Sequence, residues 1–274
     1  MTYHELCKRL LNAGIENAEW DAALLIEHFC GVNAAKVRLF GDRDYNCAGL
    51  DAAAERREQR YPLQYLIGQW QFYRQTYEVS PDCLIPRADT EILVEEAIRL
   101  LPQGAHFADF CTGSGCIAVS VLAERGDTTA MAVEKFPNTL AIAERNARRN
   151  GVRERFVPLC ADLLETNCLP KAASFDAILS NPPYIRAGDL ESLAPEIDAE
   201  PRAALDGGAD GLIFYRRIIK ELSHHLKPNG FFLFEIGYDQ ADDLRQIGAN
   251  AGFPNCRIVK DYGGNDRVAV LTRT

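Results

Sequence analysis

From His106 the chain alternates short apolar runs with stretches of helical periodicity, and that alternation decides the class of fold. Strands are expected over residues 106–111, 128–133, 156–161, 175–180 and 231–236. Helical spacing predicts helices over 116–124, 138–149, 212–226 and 240–251. Strands that alternate with helices argue for a mostly parallel sheet covered on both faces, an α/β fold of Rossmann-like type. Two further apolar segments, Arg257-Ile258-Val259 and Val268-Ala269-Val270-Leu271, flank Gly263-Gly264-Asn265-Asp266. They read as a terminal hairpin, which gives the sheet one antiparallel edge. The ligand crevice of such a sheet lies at the carboxyl ends of its strands.

The chain before Pro62 has a different character, reading as a small helical domain. Thr2-x-x-Glu5 is a capping box ahead of the stripe Leu6, Leu10 and Leu11, and Gly14 supplies a stop. Further helices are expected over 18–30, 33–40 and 51–61. In the last of these Arg56, Arg57 and Arg60 read as a solvated face. This part holds no glycine-rich loop and no convergent acid–base set, which points to recognition rather than chemistry. Trp70, Phe72, Tyr77 and Val79 predict an extended hairpin. The expected organisation is a helical domain over 1–66, a linking hairpin over 67–86 and the sheet domain over 87–274, whose first helix Asp89 can cap. Residues 186–211, rich in Pro, Gly and acids, read as a mobile loop or lid.

Composition narrows the function. At 274 residues and 47% hydrophobic the chain can bury a good core. No run approaches the ~20 apolar residues of a membrane helix. His4, Glu5, Lys8 and Arg9 exclude a signal peptide, so a cytoplasmic protein is expected. The nine cysteines are odd in number, scattered and without a C-x-x-C pair, which favours reduced thiols over a disulfide framework or a zinc site. No metal is expected. A net charge of −9 leaves no overall basic footprint for nucleic acid and better suits a basic protein partner.

Two motifs carry the chemistry. Gly113-Ser114-Gly115-x-x-Ala118 follows a strand and opens a helix, as in nucleoside-cofactor sites, and Glu134, about 20 residues on, can accept both ribose hydroxyls. The second is Phe175-Asp176-Ala177-Ile178-Leu179-Ser180-Asn181-Pro182-Pro183-Tyr184, an apolar strand stopped by a diproline. The prolines fix φ and stiffen the corner. There the Asn181 side-chain oxygen and the Pro182 carbonyl can each accept one N–H of a flat amino group, with the Tyr184 ring on its plane. Such a clamp has no use in nicotinamide hydride transfer and direct use in methyl transfer from S-adenosylmethionine. Glu134, Asp162 and Asn181 stand at successive expected strand ends, where that cofactor needs them.

These features resemble the peptide chain release factor N5-glutamine methyltransferases of the HemK/PrmC type. The likeness rests on Pro62-Leu63-Gln64-Tyr65-Leu66-Ile67-Gly68, Leu84-Ile85-Pro86-Arg87-Ala88-Asp89-Thr90-Glu91, Asp109-Phe110-Cys111-Thr112-Gly113-Ser114-Gly115, Asn181-Pro182-Pro183-Tyr184-Ile185, Glu200-Pro201-x-x-Ala204-Leu205-x-Gly207-Gly208 and Gly263-Gly264-Asn265-Asp266-Arg267. It implies a class I methyltransferase domain behind the helical domain and a monomer that methylates the glutamine of the Gly-Gly-Gln loop of release factors. It further implies that Asn181, Pro182, Pro183 and Tyr184 hold that glutamine. Cys111, Thr112, Gly113, Ser114, Gly115, Glu134, Asp162 and Leu163, with Asn181, would hold S-adenosylmethionine. Two positions depart from the pattern: Cys111 replaces the first glycine of the turn, and Leu163 stands where relatives often carry an aromatic. The alternatives are a nucleic-acid (adenine N6) amino-group methyltransferase, whose N-P-P-Y box is shared, and an inactive binding protein.

Overall fold

A computed structural model describes residues 1–273. The chain forms two compact units: Met1–Gln69 together with Leu193–Glu200, and Trp70–Ser192 together with the chain from Pro201 onward.

The first unit is helical: α1 (Tyr3–Asn12), α2 (Ala18–Cys30), α3 (Ala34–Leu39), α4 (Leu50–Glu58) and α5 (Leu63–Ile67). The capping box forms as expected: Thr2 Oγ1 accepts the Glu5 N–H at 3.1 Å while the Glu5 carboxylate accepts the Thr2 N–H at 2.7 Å. Helix α4 stops three residues before the expected Tyr61, at Glu58. Pro62 then opens a further short helix, α5, since a proline next to the first turn forfeits no helical hydrogen bond. Leu6, Leu10, Ala22, Leu25, Ile26, Val37 and Ala54 are fully buried.

Two expectations fail here. Arg57 is not solvated but 7% exposed, and its Nε donates to Asp21 Oδ2 at 2.7 Å. Arg57 continues the inward stripe Leu50, Ala53, Ala54 at helical spacing, and Asp21 lies in the stripe Ala18, Ala22, Leu25, so each charge faces the core. Arg57 and Arg60 also meet the Glu196 carboxylate, at 3.4 and 2.9 Å, which holds Leu193–Glu200 in this unit. Second, Cys30 and Cys47 form a disulfide, their Cα atoms 5.5 Å apart, so the expectation of nine reduced thiols fails for this pair. An odd, scattered count leaves room for one cross-link that spacing does not reveal.

The second unit is built on a seven-stranded sheet. Strands β3 (His106–Phe110), β4 (Thr129–Glu134), β5 (Phe156–Cys160), β6 (Phe175–Ser180) and β7 (Leu226–Glu235) are joined by β8 (Asn255–Lys260) and β9 (Asp266–Thr272). Their order is β5-β4-β3-β6-β7-β9-β8, parallel except for β9, which runs antiparallel to both its neighbours. One face packs α6 (Glu91–Leu100), α7 (Cys116–Glu124) and α8 (Pro137–Arg149) over Phe107, Ala132 and Leu179. The other packs α9 (Ile213–Glu221) and α10 (Ala241–Asn250) over Ala108, Ile178 and Phe232. Neighbouring residues of one strand thus feed opposite cores, as the two-residue period requires.

The hairpin β1 (Gln69–Phe72) and β2 (Gln75–Glu78) sends Phe72 and Tyr77 into the first of these cores, where the Tyr77 hydroxyl lies 2.6 Å from Ser120 Oγ. Strand β7 starts earlier than expected because Lys227-Pro228-Asn229-Gly230 is absorbed as an irregularity in its pairing with β6. The helix expected to reach Leu226 therefore ends at Glu221 and yields to a single 3-10 turn, Ser223–His225. Residues 186–211 contain three short 3-10 helices, Leu190–Ser192, Pro195–Ala199 and Arg202–Ala204.

Candidate active site

The strand order reverses between β3 and β6, which makes their carboxyl ends the switch point of the sheet. Phe110 pairs with Ser180, so Cys111 and Asn181 leave adjacent strands at the same level. A cavity of ≈ 330 Å³ opens there. Its size suits a nucleoside cofactor, within the usual ~300–1,000 Å³ of ligand pockets.

The glycine turn forms one wall. Cys111, Gly113 and Gly115 all have positive φ (58°, 57° and 81°), so the turn needs left-handed backbone at three alternate positions. Beneath it Asp109 is fully buried: its Oδ2 accepts the Thr112 hydroxyl at 2.5 Å and the Ala118 N–H at 3.2 Å. Burial pushes its pKa up to about 7, against the pull of those two donors.

At the end of β4 the Glu134 carboxylate is fixed by backbone, with Gly113 N–H donating to Oε2 and Phe136 N–H to Oε1, both at 3.1 Å. Burial raises its pKa, and these N–H groups oppose the rise. After β5, Asp162 accepts the Leu164 N–H at 2.9 Å and pairs with Lys135 at 2.8 Å. Burial acts to raise the Asp162 pKa, but the Lys135 ammonium and the Leu164 N–H overcome it and leave it below the usual carboxylate value. Leu163 beside it is 3% exposed and lines the cavity.

The diproline corner faces the glycine turn. Asn181 and Pro183 line the cavity together with Cys111, Thr112, Gly113 and Ser114. Behind the corner runs a hydrogen-bonded chain. Asn181 Nδ2 donates to Thr90 Oγ1 at 3.2 Å, and Thr90 Oγ1 donates to Glu235 Oε2 at 2.6 Å. The other Glu235 oxygen accepts the Tyr184 hydroxyl at 3.2 Å. Glu235 is 1% exposed, and burial pushes its pKa to about 7, with the Thr90 hydroxyl, the Arg267 guanidinium and the Tyr184 hydroxyl acting the other way. Asp89, expected to cap the first helix of this unit, lies instead 3.4 Å from Arg267, and α6 begins two residues later.

The Gly207-Gly208 segment supports the corner from the far side. A Cβ at Gly207 would stand 2.8 Å from the Pro183 carbonyl oxygen and from Tyr184 Cα, closer than side chains tolerate. Gly207 N–H donates to the Ile185 carbonyl at 2.9 Å, which stitches this loop to the chain just after Tyr184.

Of the residues singled out by sequence, Cys111, Thr112, Gly113, Ser114, Glu134, Asp162, Leu163, Asn181 and Pro183 line one cavity. Gly115 lies behind the turn as the residue preceding α7, Pro182 is buried, and the Tyr184 hydroxyl is committed to Glu235. Thr90 and Glu235 join the site beyond the residues expected from sequence. The available signal was an acid at the end of the apolar run Phe231-Phe232-Leu233-Phe234, since a buried carboxylate demands dedicated donors.

A seven-stranded sheet of this order, with a cavity between a glycine turn and an amide-bearing corner, defines a class I methyltransferase. The crystal structure of a methyltransferase from Pyrococcus furiosus shares the fold: TM-score 0.54, 17% identity, covering 72% of this chain and 88% of that one. Residues 2–68 match the family model described as PrmC N-terminal domain, and residues 88–221 that described as Methyltransferase small domain. A protein of Geobacter sulfurreducens named release factor glutamine methyltransferase is 39% identical over 268 residues, spanning 94% of this chain and 91% of its own. One of the same name from Caulobacter vibrioides is 37% identical, spanning 96% and 92%. The chain belongs to the release factor glutamine methyltransferase family.

Proposed function

We propose that this chain transfers the methyl group of S-adenosylmethionine to the side-chain amide nitrogen of the glutamine in the Gly-Gly-Gln motif of peptide chain release factors. The observation that carries this reading is the position of Asn181 in the cavity wall opposite the glycine turn, its amide nitrogen already engaged by Thr90. Family membership supplies the substrate class.

The residues present fit the cofactor. A glycine turn free of side chains at Gly113, an anchored acid at the end of β4 and an acid with an apolar neighbour after β5 suit its methionine, ribose and adenine parts. Residues 111–115, Glu134, and Asp162 with Leu163 would hold those parts. When bound, S-adenosylmethionine supplies an electrophilic methyl group on a sulfonium.

The chain's part is to prepare the nitrogen. An amide nitrogen is a poor nucleophile because its lone pair is delocalised into the carbonyl. Asn181 Oδ1 and the Pro182 carbonyl each accept one of its N–H bonds, which raises electron density on nitrogen and fixes the lone-pair direction. Preorganised polar contacts of this kind supply several kcal/mol of a barrier. Among the side chains lining the corner none is an obvious strong base, so the proton leaves late. Tyr184 holds the corner from behind through Glu235. The helical unit Met1–Gln69 contributes recognition of the release factor outside its Gly-Gly-Gln loop.

Asn181→Ala tests the reading. Turnover should fall by about 10²-fold or more, as for loss of one preorganised donor or acceptor, while calorimetric affinity for S-adenosylmethionine is retained. Near-normal turnover in that variant removes the clamp.

A further inference from the structure

We infer that Thr90 and Glu235 are positioning residues that set the polarity of the Asn181 amide, so that its oxygen and not its NH2 faces the substrate. This deepens the proposed function and rests on it: it assigns to two further residues the orientation on which the clamp depends.

A threonine hydroxyl has one proton to give. Thr90 stands between Glu235, acceptor-only in its ionised form, and an amide, 2.6 Å from Glu235 Oε2 and 3.2 Å from Asn181. Its proton goes to the carboxylate, the stronger acceptor. What remains on Thr90 Oγ1 is lone-pair capacity, so the Asn181 group that meets it must be the donor, Nδ2. The two ends of an amide cannot be told apart by shape alone, and such a network is what distinguishes them. With Nδ2 engaged, Oδ1 is the end left for the cavity, as an acceptor for a substrate N–H.

Glu235 can play this part because both its oxygens are committed. Oε1 takes the Tyr184 hydroxyl at 3.2 Å and Oε2 takes Thr90, while the Tyr215 hydroxyl donates to its backbone carbonyl at 2.7 Å. The carboxylate thus ties the two ends of the Asn181–Tyr184 corner to one fixed point at the end of β7. Thr90 comes from the turn just before α6 and Glu235 from β7, so segments far apart in sequence meet at a single amide.

Thr90→Val keeps the shape and removes the hydroxyl; Thr90→Ser keeps the hydroxyl. Glu235→Gln turns one acceptor oxygen into a donor, leaving Thr90 and Tyr184 to compete for the single acceptor that remains. The full-length variants are assayed for methyl transfer from labelled S-adenosylmethionine to a release factor, alongside calorimetric cofactor affinity and thermal unfolding. The expected result is a fall in kcat of about 10- to 10²-fold for Thr90→Val and Glu235→Gln, the scale of a misplaced reacting group. KM and affinity for the cofactor should stay within about twofold, and Thr90→Ser should recover most of the rate. Folded Thr90→Val that turns over like the parent overturns the inference, and so does a Thr90→Ser as slow as Thr90→Val. Should Thr90→Val unfold, Thr90→Ser and Glu235→Gln decide it by the same kcat reading. A parent protein that transfers no methyl group to release factor refutes the proposed function itself, an outcome distinct from the others.

Discussion

Cys111 holds a left-handed backbone conformation, φ 58°, at the head of a turn whose other two positive-φ positions are glycines. A side chain in this region costs on the order of 1–2 kcal/mol. Burial pushes the thiol well above its ordinary pKa, so the residue serves as a neutral, packed wall of the cavity and not as a nucleophile. The strain predicts an inverted ranking. In the middle of a helix or strand glycine is less stable than alanine by roughly 0.5–1 kcal/mol. Here Cys111→Gly should be more stable than Cys111→Ala by about 1 kcal/mol in denaturant unfolding, because only glycine is relieved of the Cβ. Alanine equal to or better than glycine would show that the turn carries no strain at this residue.

At the scale of elements, the pairing of α2 with α4 turns on one buried ion pair. Arg57 and Asp21 sit on facing inward stripes, and burial raises the Asp21 pKa against the pull of the guanidinium. Removing one partner of a buried pair strands the other charge, at a cost of about 3–5 kcal/mol. Arg57→Ala should therefore lower the unfolding free energy by that order, and Arg57→Met with Asp21→Leu should recover much of the loss; chemical denaturation of each variant checks both. The same pair is invisible to local sequence signals. The helices themselves followed from caps and periodicity: α2 matches its expected bounds, Ala18–Cys30, and α7 matches at Cys116–Glu124. In the folded helix the spacing of Leu50, Ala53 and Ala54 carries residue 57 inward, whereas the charge of Arg56, Arg57 and Arg60 by itself argues for a solvated face. A buried charge becomes visible only when a second stripe supplies the opposite one, and that pairing is tertiary. Helix α5 escaped for a local reason, since Pro62 can end one helix and begin the next.

In the molecule as a whole, the order β5-β4-β3-β6-β7-β9-β8 brings four separate strand ends to one cavity. Motif spacing together with the family resemblance picks out nine of its wall residues, because glycine turns and strand-terminal acids are local signals. It did not reach the Asn181–Thr90–Glu235 chain, whose members come together only when β6 and β7 pair and the turn before α6 folds over them. The buried acids also leave a signature in global stability. The Asp109 pKa is pushed up to about 7 in the folded state, from about 3.9 for an unperturbed aspartate. A raised acid contributes its full stability below the unfolded value and loses it as pH climbs through the folded one. Asp109→Asn removes that loss. Its melting temperature relative to the parent should thus rise steadily between about pH 4 and pH 7 and level off above. A constant difference across that range would mean that Asp109 is ionised in the folded protein throughout.

The most direct measurement is mass spectrometry of a release factor incubated with this protein and S-adenosylmethionine. The geometry predicts one added CH2 of mass, confined to the peptide that holds the Gly-Gly-Gln glutamine, present with the parent protein and strongly reduced with Asn181→Ala. No gain on that peptide, or a gain that survives unchanged in Asn181→Ala, would contradict it.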